Sequence, residues 1–329
     1  MKITRSALVE WGKEYLEGRG IPGSGVEAEL LFLSAGGIAR AEFYRDREAP
    51  VAPAEEKKYR ELIRSRGERE PLFYLLGERE FWSLPIRVAP GVLIPRPETE
   101  LLVEEAIRLV RECGLPFDFD QGKRNAASGP VGLTARRDCG MEKSSSRPNP
   151  KPETRNSELN FLDLGTGSGA VALALLTEIR EARAWATDLS PEALRIAAGN
   201  ARRLKLEDRI QFLAGDLFAP LEQYHGFFDL LVCNPPYIPS AVIPTLAPEV
   251  ANGEPRLALD GGEDGLGVIR RVAEKGFQFL KTPGFLLMEI GDNQARAAEE
   301  ILARTGGYEE IMILPDLSGR DRVVRAKKK

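Results

Sequence analysis

The stretch "LDLGTGSGA", residues 162–170, decides how this chain is read. An apolar run, "LNFLDLG", ends in three glycines at alternate positions, Gly165, Gly167 and Gly169, and an apolar helical pattern follows at once. Glycine tolerates backbone conformations that side chains do not, so such a turn lets a ligand approach the main chain closely. The next apolar run, "ARAWATD", ends on Asp188, a carboxylate placed to hold paired ribose hydroxyls. The turn alone leaves two readings open, because Gly165-x-Gly167-x-x-Ala170 also fits a dinucleotide fingerprint. Asp163 separates them. A carboxylate there would repel a pyrophosphate but attract a sulfonium and an ammonium, which points to S-adenosylmethionine.

Outward from the turn, strands and helices alternate. The helix "SPEALRIAAGNARRLK" carries its own start signals, Ser190 as N-cap and Pro191 at the first helical position. "RIQFLAGD", "FFDLLVCN" and "GFLLMEIG" read as further strands, and "GLGVIRRVAEKGFQFL" and "NQARAAEEILART" as helices. "YEEIMIL" and "DRVVRA" close as a strand pair. The pattern predicts a mostly parallel, doubly wound α/β sheet. After the third strand, "GDLF" supplies Asp216 and Phe218. They are read either as an acid and an aromatic near an adenine or as a helix cap and a core side chain.

The strand "FFDLLVCN" ends in "NPPY", Asn234 to Tyr237. Two prolines hold the chain extended and remove two donors. The Asn234 side-chain carbonyl and the Pro235 main-chain carbonyl remain as two fixed acceptors, which suit an NH₂ group. Tyr237 offers a flat face to a planar amide or base. The motif reads as a clamp for a planar nitrogen beside a methyl donor. His225, the only histidine, precedes that strand and is expected to be merely solvated.

The chain has 329 residues, 43% hydrophobic and 29% charged, with net charge −4. That balance argues against a protein living on nucleic-acid phosphates. Cys113, Cys139 and Cys233 make neither a disulfide framework nor a metal pair, so no metal is expected and a reduced cytoplasm fits. No apolar h-region opens the chain and no run is long enough to span a membrane.

Residues 1–78 read as a helical domain, built from "SALVEWGKEYL", "GVEAELLFLSAGG" and "EEKKYRELIRSRGE". Residues 79–97 read as a hairpin linker turning at "APG", and residues 98–329 as the α/β domain opened by the helix "ETELLVEEAIRLVREC". Within it, residues 115–158 lose all pattern. The stretch 121–157 has no aromatic residue and a net charge of +5, leaving −9 for the rest. It is expected to be a disordered surface insert, with a basic arm for an acidic partner as the other reading.

These features together resemble a known family. "REPLFYLLGEREFWSLPIRVAPGVLIPRPETELLVEEAI", "LDLGTGSGAVALAL", "TDLSPEAL", "NPPYIP", "EPRLALDGGEDGL" and "LLMEIG" are similar to the peptide chain release factor N(5)-glutamine methyltransferases. The resemblance covers nearly the whole chain except the insert. It implies a small helical N-terminal domain that recognises substrate, and a seven-stranded Rossmann-like methyltransferase domain. It also implies methylation of the glutamine in the Gly-Gly-Gln loop of class 1 release factors. Gly165, Thr166, Gly167, Ser168, Gly169, Asp188, Leu217 and Asn234 are then expected to bind S-adenosylmethionine. Asn234, Pro235, Pro236 and Tyr237 are expected to hold the glutamine, with Asn234, Pro235 and Tyr237 catalytic. Leu217 stands where the family often has tryptophan, so stacking there is in doubt. "LIPRPETE" separates this family from the ribosomal-protein glutamine methyltransferases, and Arg96, Glu98 and Thr99 are expected near the donor, with helix capping the alternative for Thr99. A cytoplasmic monomer without direct nucleic-acid contact completes the expectation.

Deleting residues 121–157 with a short Gly/Ser closure should leave melting temperature and S-adenosylmethionine affinity nearly unchanged, because loop closure entropy grows slowly with length. A drop of many degrees in a thermal melt would show that the segment packs.

Overall fold

A computed structural model describes residues 3–112 and 158–329. The expected insert, but for Glu158, lies outside the described residues. Five helices come first: α1 (Arg5–Glu17), α2 (Ser24–Gly36), α3 (Arg40–Arg45), α4 (Pro53–Gly67) and α5 (Leu72–Leu76). They close over their own core, in which Phe32 and Tyr59 are fully buried with ring centroids 5.5 Å apart, edge to face. The short helices α3 and α5 escaped the sequence reading because six and five residues cannot display a helical period.

Strands β1 (Glu78–Phe81) and β2 (Leu84–Arg87) form an antiparallel hairpin. Its turn is Trp82–Ser83, not Ala89–Gly91 as expected. Both turn residues have positive φ, 52° and 58°, a conformation usually left to Asn and Gly. Here the Trp82 backbone N–H donates to Glu100 (2.8 Å) and its indole N–H to Glu178 (2.9 Å), which holds the turn from outside it.

The rest is a doubly wound sheet. A 3₁₀ turn (Pro97–Thr99) and α6 (Glu100–Glu112) lead into β3 (Leu159–Leu164), α7 (Ala170–Glu178), β4 (Ala182–Asp188), α8 (Pro191–Leu204), β5 (Ile210–Ala214) and β6 (Phe228–Cys233). Then follow α9 (Pro248–Ala251), α10 (Gly267–Phe279), β7 (Leu280–Glu289), α11 (Ala295–Thr305), β8 (Tyr308–Pro315) and β9 (Asp321–Lys328). The seven strands lie in the order β5-β4-β3-β6-β7-β9-β8, parallel from β5 to β7 and antiparallel at β9 and β8. The expected fold class is the observed one. β6 is buried along its whole length because helices cover both faces, which is why it reads as a continuous apolar run. Neighbouring residues of β3 serve opposite cores: Phe161 packs on the side of α6 and α7, Leu162 on the side of α10. Ser190 caps α8 through its side chain and Pro191 opens it, as the sequence predicts.

One buried cation ties the N-terminal helices to the sheet's loops. Arg66 of α4, 3% exposed, donates to Glu27 of α2 (2.6 Å) and to Glu249 of α9 (3.0 Å). Among the described residues no helix is long and apolar enough to cross a membrane.

Candidate active site

The site is placed by strand order. The chain builds outward through β3, β4 and β5, then returns to lay β6 against the other edge of β3. A reversal of this kind opens a crevice at the carboxyl ends of the strands. Leu164 pairs with Cys233 across β3 and β6, so Gly165 and Asn234 leave the sheet side by side. The two motifs, 69 residues apart in the chain, meet there.

Two cavities adjoin at this point. The first, about 300 Å³, is walled by Gly165, Gly167, Asp188, Leu217, Asn234 and Pro236. The second, about 210 Å³, is walled by Arg96, Asn234, Pro235, Tyr237, Ile238 and Glu289. Asn234 lines both.

The glycine turn divides its work. Gly165 (φ 69°) and Gly167 (φ 56°) face open space, where an added Cβ would meet nothing within 4 Å. Gly169 (φ 83°) instead packs tightly, since a Cβ there would meet Ala197 and Leu173 at 3.2 Å. Its small size serves α7–α8 packing. Thr166 and Ser168 are buried beside it, outside the residues that wall the first cavity. The Thr166 hydroxyl donates to Asp163 (2.7 Å), and the Ser168 carbonyl accepts from the Asn200 amide (2.9 Å). Asp188 stands on the wall and braces the turn: its carboxylate accepts the Gly167 and Ser190 backbone N–H groups, each at 2.8 Å.

Asp163 is buried beneath the turn, 3% exposed, rather than on the cavity wall. Burial pushes its pKa up to about 7, against the Thr166 hydroxyl and the Ala172 backbone N–H, which pull it down, while nearby Asp188 raises it further. Burial likewise raises the pKa of Asp188. Two acids thus sit under or on a cavity with an apolar lining, an environment that favours a cationic guest.

Around the clamp, the Asn234 Nδ2 donates to the Thr99 hydroxyl (3.1 Å). Thr99 ends the 3₁₀ turn that runs directly into α6. Arg96 lines the second cavity and pairs with buried Glu254, whose carboxylate also accepts the Ile94 N–H (3.1 Å). The Tyr237 hydroxyl donates to Glu289 (3.2 Å), and its carbonyl accepts from Gln294 (2.9 Å). Glu289 and Gln294 were missed at the level of sequence. The one signal was an acid closing the otherwise apolar "LLMEIG".

Asp216 pairs with Arg271 (2.7 Å), and both line the first cavity. Phe218 is a core residue, stacked on Phe279 at 4.6 Å. Leu217 reaches the cavity with φ 52°. His225 is exposed before β6, away from the clamp, and stacks on the same Phe279 at 4.5 Å. Among the described residues no group of three or more His, Cys, Asp or Glu could hold a metal ion.

Residues 7–77 match a family model described as the PrmC N-terminal domain, and residues 155–304 one described as a methyltransferase domain. The release factor glutamine methyltransferase of Moorella thermoacetica is 36% identical over 97% of this chain and 96% of its own. That of Rhodopirellula baltica is 36% identical over 98% and 95%. That of Caulobacter vibrioides is 34% identical over 98% and 96%. Among solved structures, the hMettl16 catalytic domain, crystallised with the MAT2A 3′UTR hairpin 6, superposes with a TM-score of 0.53 at 15% identity. The match covers 78% of this chain and 81% of that one, and shows a shared fold.

Proposed function

This chain belongs to the family of release factor glutamine methyltransferases, and we propose that it methylates the side-chain amide of the glutamine in the Gly-Gly-Gln motif of class 1 release factors. The observation that carries the reading is Asn234 on the shared wall of the two cavities. One cavity suits a methyl donor and the other an amide.

The residues of the first cavity fit S-adenosylmethionine. Gly165 and Gly167 leave room that side chains would fill. Asp188 has lone pairs left for ribose hydroxyls beside its two backbone bonds. Asp163 beneath the floor favours a cation. When bound, S-adenosylmethionine supplies an electrophilic methyl group on sulfur. The chain's residues do the rest. Asn234 Oδ1 and the Pro235 carbonyl accept the two N–H bonds of the substrate amide and hold its nitrogen at the junction of the cavities. Tyr237 confines the amide plane. As the nitrogen formed its bond to the methyl carbon, the carbon–sulfur bond would break with its electron pair left on sulfur, and the positive charge gained by the nitrogen would be stabilised by two fixed carbonyl dipoles. A proton then leaves the nitrogen, so no side-chain base is required before attack. Residues 1–78 are assigned to recognition of the release factor, 79–97 to the link and 98–329 to catalysis.

Incubation with labelled S-adenosylmethionine and, separately, a release factor, DNA or rRNA tests the reading. Label is expected on the release factor glutamine. Label on nucleic acid alone would overturn it.

Asp188→Ala should weaken S-adenosylmethionine binding. Hydrogen bonds to a charged group contribute about 1.5–3 kcal/mol each, which sets a loss on the order of tenfold to a hundredfold. The substitution also frees the Gly167 and Ser190 N–H groups that brace the turn. Unchanged affinity by calorimetry would remove Asp188 from the donor site.

A further inference from the structure

Between Ile238 and Asp260 the chain leaves the sheet and returns. The Ile238 N–H donates to the Leu259 carbonyl (3.0 Å) and its carbonyl accepts the Gly261 N–H (2.9 Å), which pins the base of this excursion just past the clamp. Its one α-helix is α9, four residues, too short to hold its own place. Yet Leu246 and Val250 wall the second cavity, and Pro255 and Leu257 wall the first. Two anchors outside the excursion fix it.

The first comes from the N-terminal helices. Arg66 is 3% exposed and already held on its own side, by Glu27 (2.6 and 3.4 Å) and by the Glu70 carbonyl (3.3 Å). A guanidinium presents its donors in a rigid fork, so fixing one side fixes where the other points. That other side reaches Glu249 of α9 at 3.0 Å, and Arg69 stands 3.6 Å from the second Glu249 oxygen. Four residues on, the main chain at Gly253 lies so close to Pro71 that a Cβ there would meet its ring at 2.6 Å. The second anchor is Glu254, which takes the Ile94 N–H and pairs with Arg96. The anchors divide the work: Glu249 adjoins Val250 on the acceptor side, and Glu254 adjoins Pro255 on the donor side. Pro248 and Asn252 line a third cavity, about 480 Å³, together with Ser65, Arg69 and Tyr74. α9 thus partitions the acceptor cavity from the N-terminal helices.

We propose that Arg66, through Glu249, is a positioning residue that sets the outer wall of the acceptor cavity, so that the N-terminal helices complete the acceptor site besides docking a substrate. The inference rests on the reading of the site as a glutamine methyltransferase.

Glu249→Ala frees α9 but leaves Arg66 paired with Glu27. It should lower kcat on a release factor roughly tenfold to a hundredfold, the cost of a small misplacement at the reacting atoms. KM for the release factor should change little, and so should S-adenosylmethionine affinity by calorimetry, because the Glu254 anchor is intact. Glu249→Gln keeps an acceptor for Arg66 and should recover most of the rate. Glu27→Gln weakens the hold on Arg66 within the N-terminal helices and keeps the Glu249 bond, so it should cost stability in a thermal melt and leave kcat near wild type. A further readout is independent of turnover. Hydrogen exchange followed by mass spectrometry should quicken over residues 246–254 in Glu249→Ala, where Asn252 and Glu254 donate to the Pro248 and Val250 carbonyls, while β6 stays protected. Wild-type kcat in Glu249→Ala, a loss of S-adenosylmethionine affinity in step with kcat, or unchanged exchange over 246–254 would each overturn the proposal. A rise in KM alone would make Glu249 a docking contact and overturn it too. If wild-type protein transfers no methyl to a release factor, the functional reading fails, and the exchange measurement still decides whether Arg66 anchors α9.

Discussion

Asn234→Ala is expected to lower turnover on a release factor by roughly 10²–10³, the usual scale for removing one group that stabilises developing charge. The fold should survive. Asn234 follows the last residue of β6 at the open end of the sheet, half-buried, and among the described residues its one side-chain bond is to Thr99. Melting temperature should therefore stay near wild type while labelled methyl transfer collapses. Asn234→Asp keeps an acceptor and nearly the same shape. Its added charge should help a cationic donor bind but lessen its electrophilicity, so some activity should persist. A release factor with asparagine in place of its target glutamine should be a poor substrate, because its nitrogen falls about one methylene short and near-attack geometry tolerates little displacement. Full turnover by Asn234→Ala would sink the assignment of the clamp.

The second large effect concerns stability and pH. The Asp163 carboxyl is raised from its ordinary 3.8 to about 7 by burial. A carboxyl that is harder to ionise in the folded chain than in the unfolded one binds more protons when folded, so stability falls as pH rises between those values. Below pH 4 both states are protonated and nothing is lost. Above pH 7 the whole penalty is present, at most about 4 kcal/mol at roughly 1.4 kcal/mol per pH unit. Asp163→Asn keeps an acceptor for the Thr166 hydroxyl or the Ala172 N–H. It should be more stable than wild type at pH 8 and no more stable at pH 4, when both are unfolded with urea in the absence of S-adenosylmethionine. The same variant should bind S-adenosylmethionine more weakly at pH 8, since the negative charge beneath the cavity is gone. Equal stability differences at the two pH values would show that the buried carboxyl carries no such penalty.

How much was legible in the sequence follows from the range of each interaction. The apolar runs of β3 and β6, the Ser190–Pro191 start of α8, the glycines and "NPPY" are local signals, each written in a few consecutive residues. They sufficed to predict the doubly wound sheet and to nominate Gly165, Gly167, Asp188, Asn234, Pro235 and Tyr237, all of which stand on cavity walls, as does Leu217, which only the family resemblance named. The hairpin turn was misplaced because the Trp82–Ser83 turn, positive in φ at both residues, is held by bonds that Trp82 donates to Glu100 and Glu178, 18 and 96 residues away.

The glycine pattern could not say which glycine meets a ligand and which meets a helix. Gly165, Gly167 and Gly169 look alike in the chain, and only the approach of Ala197 on α8 assigns Gly169 to packing. Nor could the motif reveal what orients it. Asn234 touches Thr99 across 135 residues and Tyr237 touches Glu289 across 52, contacts created when β6 is laid between β3 and β7. The sequence by itself determined the kind of sheet, the turn and the clamp, because periodicity and backbone freedom are properties of neighbours in the chain. Which polar groups face each other at the strand ends was decided by tertiary structure alone, because strand order sets those pairs and burial then fixes their charge.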